Sequence, residues 1–315
     1  MRVSHVLTGL AVISQFAGGP LMAQTSVKVP TIVGEWWGVA GDPDLGPEIT
    51  TERQQPVDFA VWQAADGTWQ LWSCVRGTNC GGNRRLFHGW EGKQITDASW
   101  TPTGIQMTAR PELGETTGGL QAPHVVKWRG EYWMAYGDWE NICFAKSKDG
   151  KKFERVLTAD GRSGRFSEGP GNNTRDAMLL LVGDLWHCYY TAYPNRQGMV
   201  YCRTSPNLLD WSESVVAAYG GEAGTNAYSS ECPHVVALGP DDYYLFRTQR
   251  YGWEQITRVY HSRDPKYFGV NQDDKYLVCS LPVAAPEIVF HEGQYYIAAL
   301  RPDLKGISIA RLDWK

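Results

Sequence analysis

Asp58, Asp176 and Glu231 are the residues of this 315-residue chain whose types and surroundings best suit proton chemistry. Asp58 stands between Val57 and Phe59 and Glu231 runs into Cys232-Pro233, so neither sits in an ordinary solvated loop, and Asp176 follows Arg175. Burying like charges together is costly and is tolerated mainly where a proton must be shared or moved. Paired carboxyls across a cleft are what cleavage of a glycosidic bond requires. One protonates the leaving oxygen, and the other attacks the anomeric carbon or activates water.

Residues so far apart in sequence can act together only if the fold returns them to one place. The chain repeats one pattern five times, in which an apolar segment leads through an acidic or Gly turn into an aromatic strand. Val57-Asp58-Phe59 leads to Asp66-Gly67-Thr68-Trp69, and Gln121-Ala122-Pro123-His124 to Arg129-Gly130-Glu131-Tyr132. Arg175-Asp176-Ala177 leads to Gly183-Asp184-Leu185-Trp186, Glu231-Cys232-Pro233-His234 to Asp241-Asp242-Tyr243, and Ala285-Pro286-Glu287 to Glu292-Gly293-Gln294-Tyr295. Short strands recurring every roughly 50 to 65 residues predict an all-β fold, a five-bladed β-propeller with four strands per blade. The blades are expected to start near 57, 121, 175, 231 and 285, within one domain spanning 24–315. Thr31 to Pro47 would close the ring by lending a strand to the last blade, and helix should be scarce. Innermost strands converge on the axis, so the residues opening each copy become neighbours in one axial pocket.

His124, His234 and Glu287 share one repeat position, just after Pro123, Pro233 and Pro286. They are expected around the pocket, contacting sugar hydroxyls or coordinating an axial ion such as Ca2+; no other cofactor is required. Gln121 opens the second copy, and Trp37, Trp62 and Arg250, with Trp36 and Trp139, are pocket candidates by loop position. The chain holds 14 Trp and 16 Tyr, whose flat faces can fill the core or carry stacked sugar rings.

The net charge is −4 and no Lys/Arg run appears, which argues against nucleic acid as a partner. Residues 1–23 read as a signal peptide, with Arg2, an apolar stretch from Val6 to Ala17 and Leu21-Met22-Ala23 as the cleavage site. The stretch is too short and Gly-interrupted to span a bilayer, so the mature protein is expected in the periplasm or secreted. Seven cysteines leave at least one unpaired, and Cys74 and Cys80 are close enough to clip the loop between them. Cys143, Cys188, Cys202 and Cys279 suit buried strand positions, and the absence of a CxxC pair argues against structural zinc.

Asp58, Arg175-Asp176 and Glu231-Cys232 resemble, in order and spacing, the three acidic motifs of the five-bladed furanosidase glycoside hydrolases of families 32, 43, 68 and 117. The Arg-Asp and Glu-Cys pairs are most similar to family 32. Val57-Asp58-Phe59-Ala60 departs from that family's Asn-Asp-Pro-Asn and Ala177 from its Arg-Asp-Pro, and the compact single propeller is more like family 43 or 117. The resemblance implies Asp58 as nucleophile or general base, and Glu231 as general acid kept protonated by its neighbours. It implies that Asp176 binds substrate hydroxyls and that Arg175 neutralises and orients it. The expected substrate is the terminal, furanosidic unit of a plant or algal oligo- or polysaccharide. Alternatives are an inverting family 43-like arabinofuranosidase or xylosidase, and a catalytically silent carbohydrate-binding propeller.

Overall fold

The computed structural model describes residues 26–315, and the expected signal peptide lies outside them. Five antiparallel sheets follow one another along the chain. Blade 1 comprises Gln55–Gln63, Trp69–Arg76, Arg85–Gly92 and Thr101–Met107. Blade 2 comprises Gln121–Trp128, Glu131–Gly137 and Ile142–Ser147, and blade 3 comprises Arg175–Val182, Leu185–Ala192, Met199–Ser205 and Val215–Ala218. Blade 4 comprises Glu231–Gly239, Asp242–Arg250, Ile256–Ser262 and Leu277–Leu281. Blade 5 comprises Glu287–His291, Gln294–Leu300 and Gly306–Trp314.

Two blades depart from the plain repeat. The outer position of blade 2 is split between Glu154–Arg155 and Gly164–Phe166, which both pair with its third strand. The turn between them, closed by Thr158 N–H to the Arg162 carbonyl, interrupts the strand. Blade 5 takes its outer strand from Pro30–Gly41, antiparallel to Gly306–Trp314, as expected of the ring-closing segment. Val29 and Lys315 clasp the seam, exchanging backbone hydrogen bonds of 2.7 and 3.0 Å. Helix among the described residues is confined to short 3-10 turns.

The middle strands of each blade are buried on both faces because neighbouring blades stack on them. Trp69–Arg76 is buried along all but its last residue, whereas the outer strand Thr101–Met107 is largely exposed. Between blades 1 and 2 the wedge is filled by Trp62, Trp72 and Phe153, with ring centroids 5.2 to 5.9 Å apart in edge-on arrangements.

One backbone feature recurs at the axis. Near the start of each blade a single non-glycine residue adopts left-handed φ: Asp58 (40°), Ala122 (39°), Asp176 (58°), Cys232 (46°) and Ala285 (48°). In blades 1 to 4 the strand pairing slips by a bulge at this point. A regular strand would send consecutive side chains to opposite faces, whereas the bulge re-aims one of them. Arg175 and Glu231 line one cavity, and Asp176 and Cys232, next to them in sequence, border a second.

The bulges also fix the alignment of the repeats. Asp58 and Asp176 occupy the left-handed position itself, and Glu231 stands one place earlier, level with Gln121 and Arg175. The three carboxylates are not equivalent openings, as the sequence pattern alone suggested. Two come from one repeat position and the third from the one before it.

Candidate active site

A cavity of about 240 Å³ opens at the end of the propeller where the inner strands begin. Asp58, Gln121, Arg175 and Glu231 line it, one from each of the first four blades, and all four are expected site residues. Arg175 Nη2 forms an ion pair with Glu231 Oε1, and the Tyr251 hydroxyl donates to Glu231 Oε2 at 3.1 Å. Arg175 Nε lies 3.6 Å from Asp176 Oδ2, and its guanidinium carbon lies 5.1 Å from the centroid of the Tyr193 ring. Cys232 joins the remaining carboxyls: its backbone N–H donates to Asp176 Oδ2 at 3.1 Å, and its thiol donates to Asp58 Oδ1 at 3.4 Å.

The electrostatics separate the three acids. Burial raises the Asp58 carboxyl, with the charge of Glu231 adding to it and Arg85 opposing. Burial raises Asp176 to about 7, against the pull of Arg175 and with repulsion from Glu231 and Asp58. Glu231, expected to be kept protonated by its neighbours, is paired with the Arg175 guanidinium. The acids pushed toward the neutral form are Asp58 and Asp176.

His124, His234 and Glu287 do come together, with their facing atoms within 4.8 Å of one another. Glu287 lines a smaller axial cavity of about 20 Å³, which Asp58, Asp176 and Cys232 also border. His124 Nε2 lies 3.9 Å from Glu287 Oε2 and His234 Nδ1 lies 3.5 Å from Glu287 Oε1. On its far side each ring accepts a backbone N–H, His124 Nδ1 from Leu179 and His234 Nε2 from Ile288. A neutral imidazole that accepts on one nitrogen carries its proton on the other. Burial holds His124 neutral, lowering it to about 4. Both inward nitrogens are thus N–H donors, and only Glu287 offers lone pairs to the axis. Ca2+ takes about six to eight oxygen ligands, so the side chains of this trio do not fit it.

Four expected pocket residues lie elsewhere, Trp36 among them on a separate cavity beside Arg301 and Ser308. Trp37 packs edge-on against Tyr296 at 6.2 Å, and its Nε1 donates to the Ile95 carbonyl at 3.0 Å. Trp62 is buried between blades 1 and 2, with Nε1 donating to the Gly150 carbonyl at 2.8 Å. Both sit on strands whose side chains face the neighbouring blade, where large aromatic rings fill the wedge. Arg250 is exposed and pairs with Glu254 at 3.5 Å. The Cys74–Cys80 clip is also absent. Cys74 is buried with its thiol donating to the Leu120 carbonyl, Cys80 points to the Arg85 carbonyl, and all seven cysteines are free.

Arg76, Arg85, Asn173, Tyr193, Tyr228 and Tyr251 complete the cavity wall with Trp139, and of these only Trp139 stood among the sequence candidates. A signal did exist. Trp139, Tyr193 and Tyr251 each stand just past the second strand of their blade, and Arg76 ends the second strand of blade 1. That strand runs antiparallel to the inner one, so its end lies at the mouth of the cavity.

No protein-family profile and no curated protein sequence matches the chain. Solved structures do. A thermostable family-43 glycoside hydrolase superposes with a TM-score of 0.60 at 16% identity, covering 84% of this chain and 91% of that one. An exo-1,5-α-L-arabinanase from a bovine ruminal metagenomic library gives 0.60 at 17% identity, covering 82% and 93%. The chain has the fold of the five-bladed furanosidase-type glycoside hydrolases. A family 32 β-fructofuranosidase of Bombyx mori matches at TM-score 0.58 and 15% identity, with 87% of this chain and 61% of that one covered. The propeller thus corresponds to nearly the whole of the compact family 43 structures and to part of the longer family 32 chain.

Proposed function

We propose that this protein is an exported glycoside hydrolase that cleaves a terminal, furanosidic bond of a plant or algal oligo- or polysaccharide. The observation that carries the reading is the convergence of Asp58, Glu231 and Arg175 around one cavity of sugar size, with Asp176 3.6 Å from Arg175 and bordering the smaller cavity that Asp58 shares, on a propeller shared with glycoside hydrolases. Asp58 is the nucleophile or base, poised by the Cys232 thiol. Glu231 is the acid, and to act it must give up its contact with Arg175, whose Nε also lies 3.6 Å from Asp176. Asp176 binds sugar hydroxyls beside the developing positive charge. The chemistry runs on carboxyl groups and requires no cofactor.

A panel of aryl furanosides and pyranosides, assayed with the parent and with Asp58→Ala, Asp176→Ala and Glu231→Ala, tests the assignment. Turnover of one substrate by the parent, lost by about 1,000-fold or more in the Asp58 variant and, for poor leaving groups, in the Glu231 variant, is expected. Wild-type rates in all three variants would refute the site. Fractionation of the native host with N-terminal sequencing checks export and cleavage after Ala23.

One observation favours a second reading, a carbohydrate-binding propeller without catalysis: Glu231 is already engaged by Arg175. Sugar binding without turnover of any panel member would select it.

A further inference from the structure

Three guanidinium groups, those of Arg76, Arg85 and Arg175, line the cavity that holds Asp58 and Glu231. Arg175 is committed to Glu231. Arg76 gives its Nε to Gln55 Oε1 at 2.9 Å. Among the described residues neither Arg76 nor Arg85 has a carboxylate oxygen within 4.0 Å. Arg85 lies over Trp139, its guanidinium carbon 5.1 Å from the ring centroid, and its polar contact is Cys74 Sγ at 4.0 Å. The aromatic face orients the guanidinium without neutralising it.

Arg76 and Arg85 also stand directly opposite each other on neighbouring strands of blade 1. Like charges in that relation repel, and the pair calls for an anion. Asp58 and Asp176 supply it only in part, since burial pushes both toward their neutral forms. The same wall holds two acceptors without donors: Gln121 Oε1 and Asn173 Oδ1 are buried with no hydrogen-bond partner. A fitting ligand brings hydroxyl donors to the amides and negative charge to the arginines.

We infer that the sugar bound in this cavity is anionic, carrying a carboxylate or a sulfate ester that Arg85 and Arg76 hold. A guanidinium meets either group through paired N–H donors, which a neutral hydroxymethyl cannot match. This inference rests on the glycosidase reading and narrows it to uronate-containing or sulfated glycans.

The test uses matched 4-nitrophenyl glycosides that differ at one position, bearing hydroxymethyl, carboxylate or sulfated hydroxymethyl, with the parent enzyme, Arg85→Gln and Arg85→Lys. It also measures calorimetric binding of glucuronate, galacturonate and glucose 6-sulfate against glucose and galactose. One acidic series is expected to exceed its neutral partner in kcat/KM by on the order of 100-fold. Arg85→Gln should collapse that ratio to near one, and Arg85→Lys should restore part of it; which acidic series responds distinguishes carboxylate from sulfate. Hydrolysis of neutral glycosides with a ratio near one would overturn the inference and leave the glycosidase reading standing. Arg85-dependent binding of an anionic sugar with no hydrolysis of any glycoside would support the anion site and sink the glycosidase reading. A ratio that Arg85→Gln leaves unchanged would also overturn the inference.

Discussion

Arg175 of blade 3 holds Glu231 of blade 4 across the cavity, Nη2 against Oε1, although the two are 56 residues apart in sequence. The residue proposed as the general acid is therefore already engaged by a guanidinium in this structure. Substrate must disturb this pair before acid catalysis can begin.

The consequence shows in the leaving group. With Glu231→Gln, an aryl glycoside whose phenol departs readily should lose only about tenfold in kcat, because little protonation is needed. A poor leaving group should lose on the order of 1,000-fold. Equal losses across a leaving-group series would remove Glu231 from the acid's role.

Asp176 predicts a dependence of stability on pH. Its carboxyl is raised from 3.8 to about 7, so the native state holds a proton that the unfolded chain releases across that window. Folding stability therefore falls as pH rises from about 4 to about 7, and the deficit persists above. Asp176→Asn, neutral throughout, should be more stable than the parent at pH 8 by on the order of 1 to 3 kcal/mol and should match it near pH 4. Thermal unfolding at the two pH values decides this, and a variant less stable at pH 8 contradicts it.

The cysteines make a simple chemical forecast. Denatured under non-reducing conditions, the protein should titrate as seven thiols. In the native state Cys143, Cys188 and Cys232 should resist alkylation, since burial pushes their thiols well above the ordinary range. Five thiols after denaturation would reinstate the Cys74–Cys80 bridge.

Metal removal should matter little. The inward nitrogens of His124 and His234 carry protons, and Glu287 alone faces the axis with lone pairs. Prolonged EDTA treatment should change kcat/KM by less than about twofold, with full activity regained without added Ca2+. A large, Ca2+-reversible loss would show that the trio rearranges around an ion.

The five blades and their starting points were legible in the sequence because each blade repeats its own turn chemistry and aromatic strand. The convergence of Asp58, Asp176 and Glu231 followed from that repeat. The bulge was not legible: a left-handed residue announces itself when it is Gly, and here the position holds Asp, Ala or Cys. Without it, Glu231 looked equivalent to the two aspartates. Trp37 and Trp62 misled because a platform for sugar and a wedge between blades use the same residue type, and only strand register tells them apart. Arg76 and Arg85 escaped notice for a related reason, since their pairing exists only across the antiparallel second and third strands of blade 1.

The clasp between Val29 and Lys315 places the pocket under a constraint of time as well as space. Blade 5 lacks its outer strand until Pro30–Gly41, made early, meets Gly306–Trp314, made last. Asp58, Asp176 and Glu231 all lie between the two seam strands along the chain, so a growing polypeptide holds all three acids before the ring can close. Removing residues 30–41 takes away the outer strand of blade 5, and the variant should lose the proposed activity although it keeps every candidate site residue.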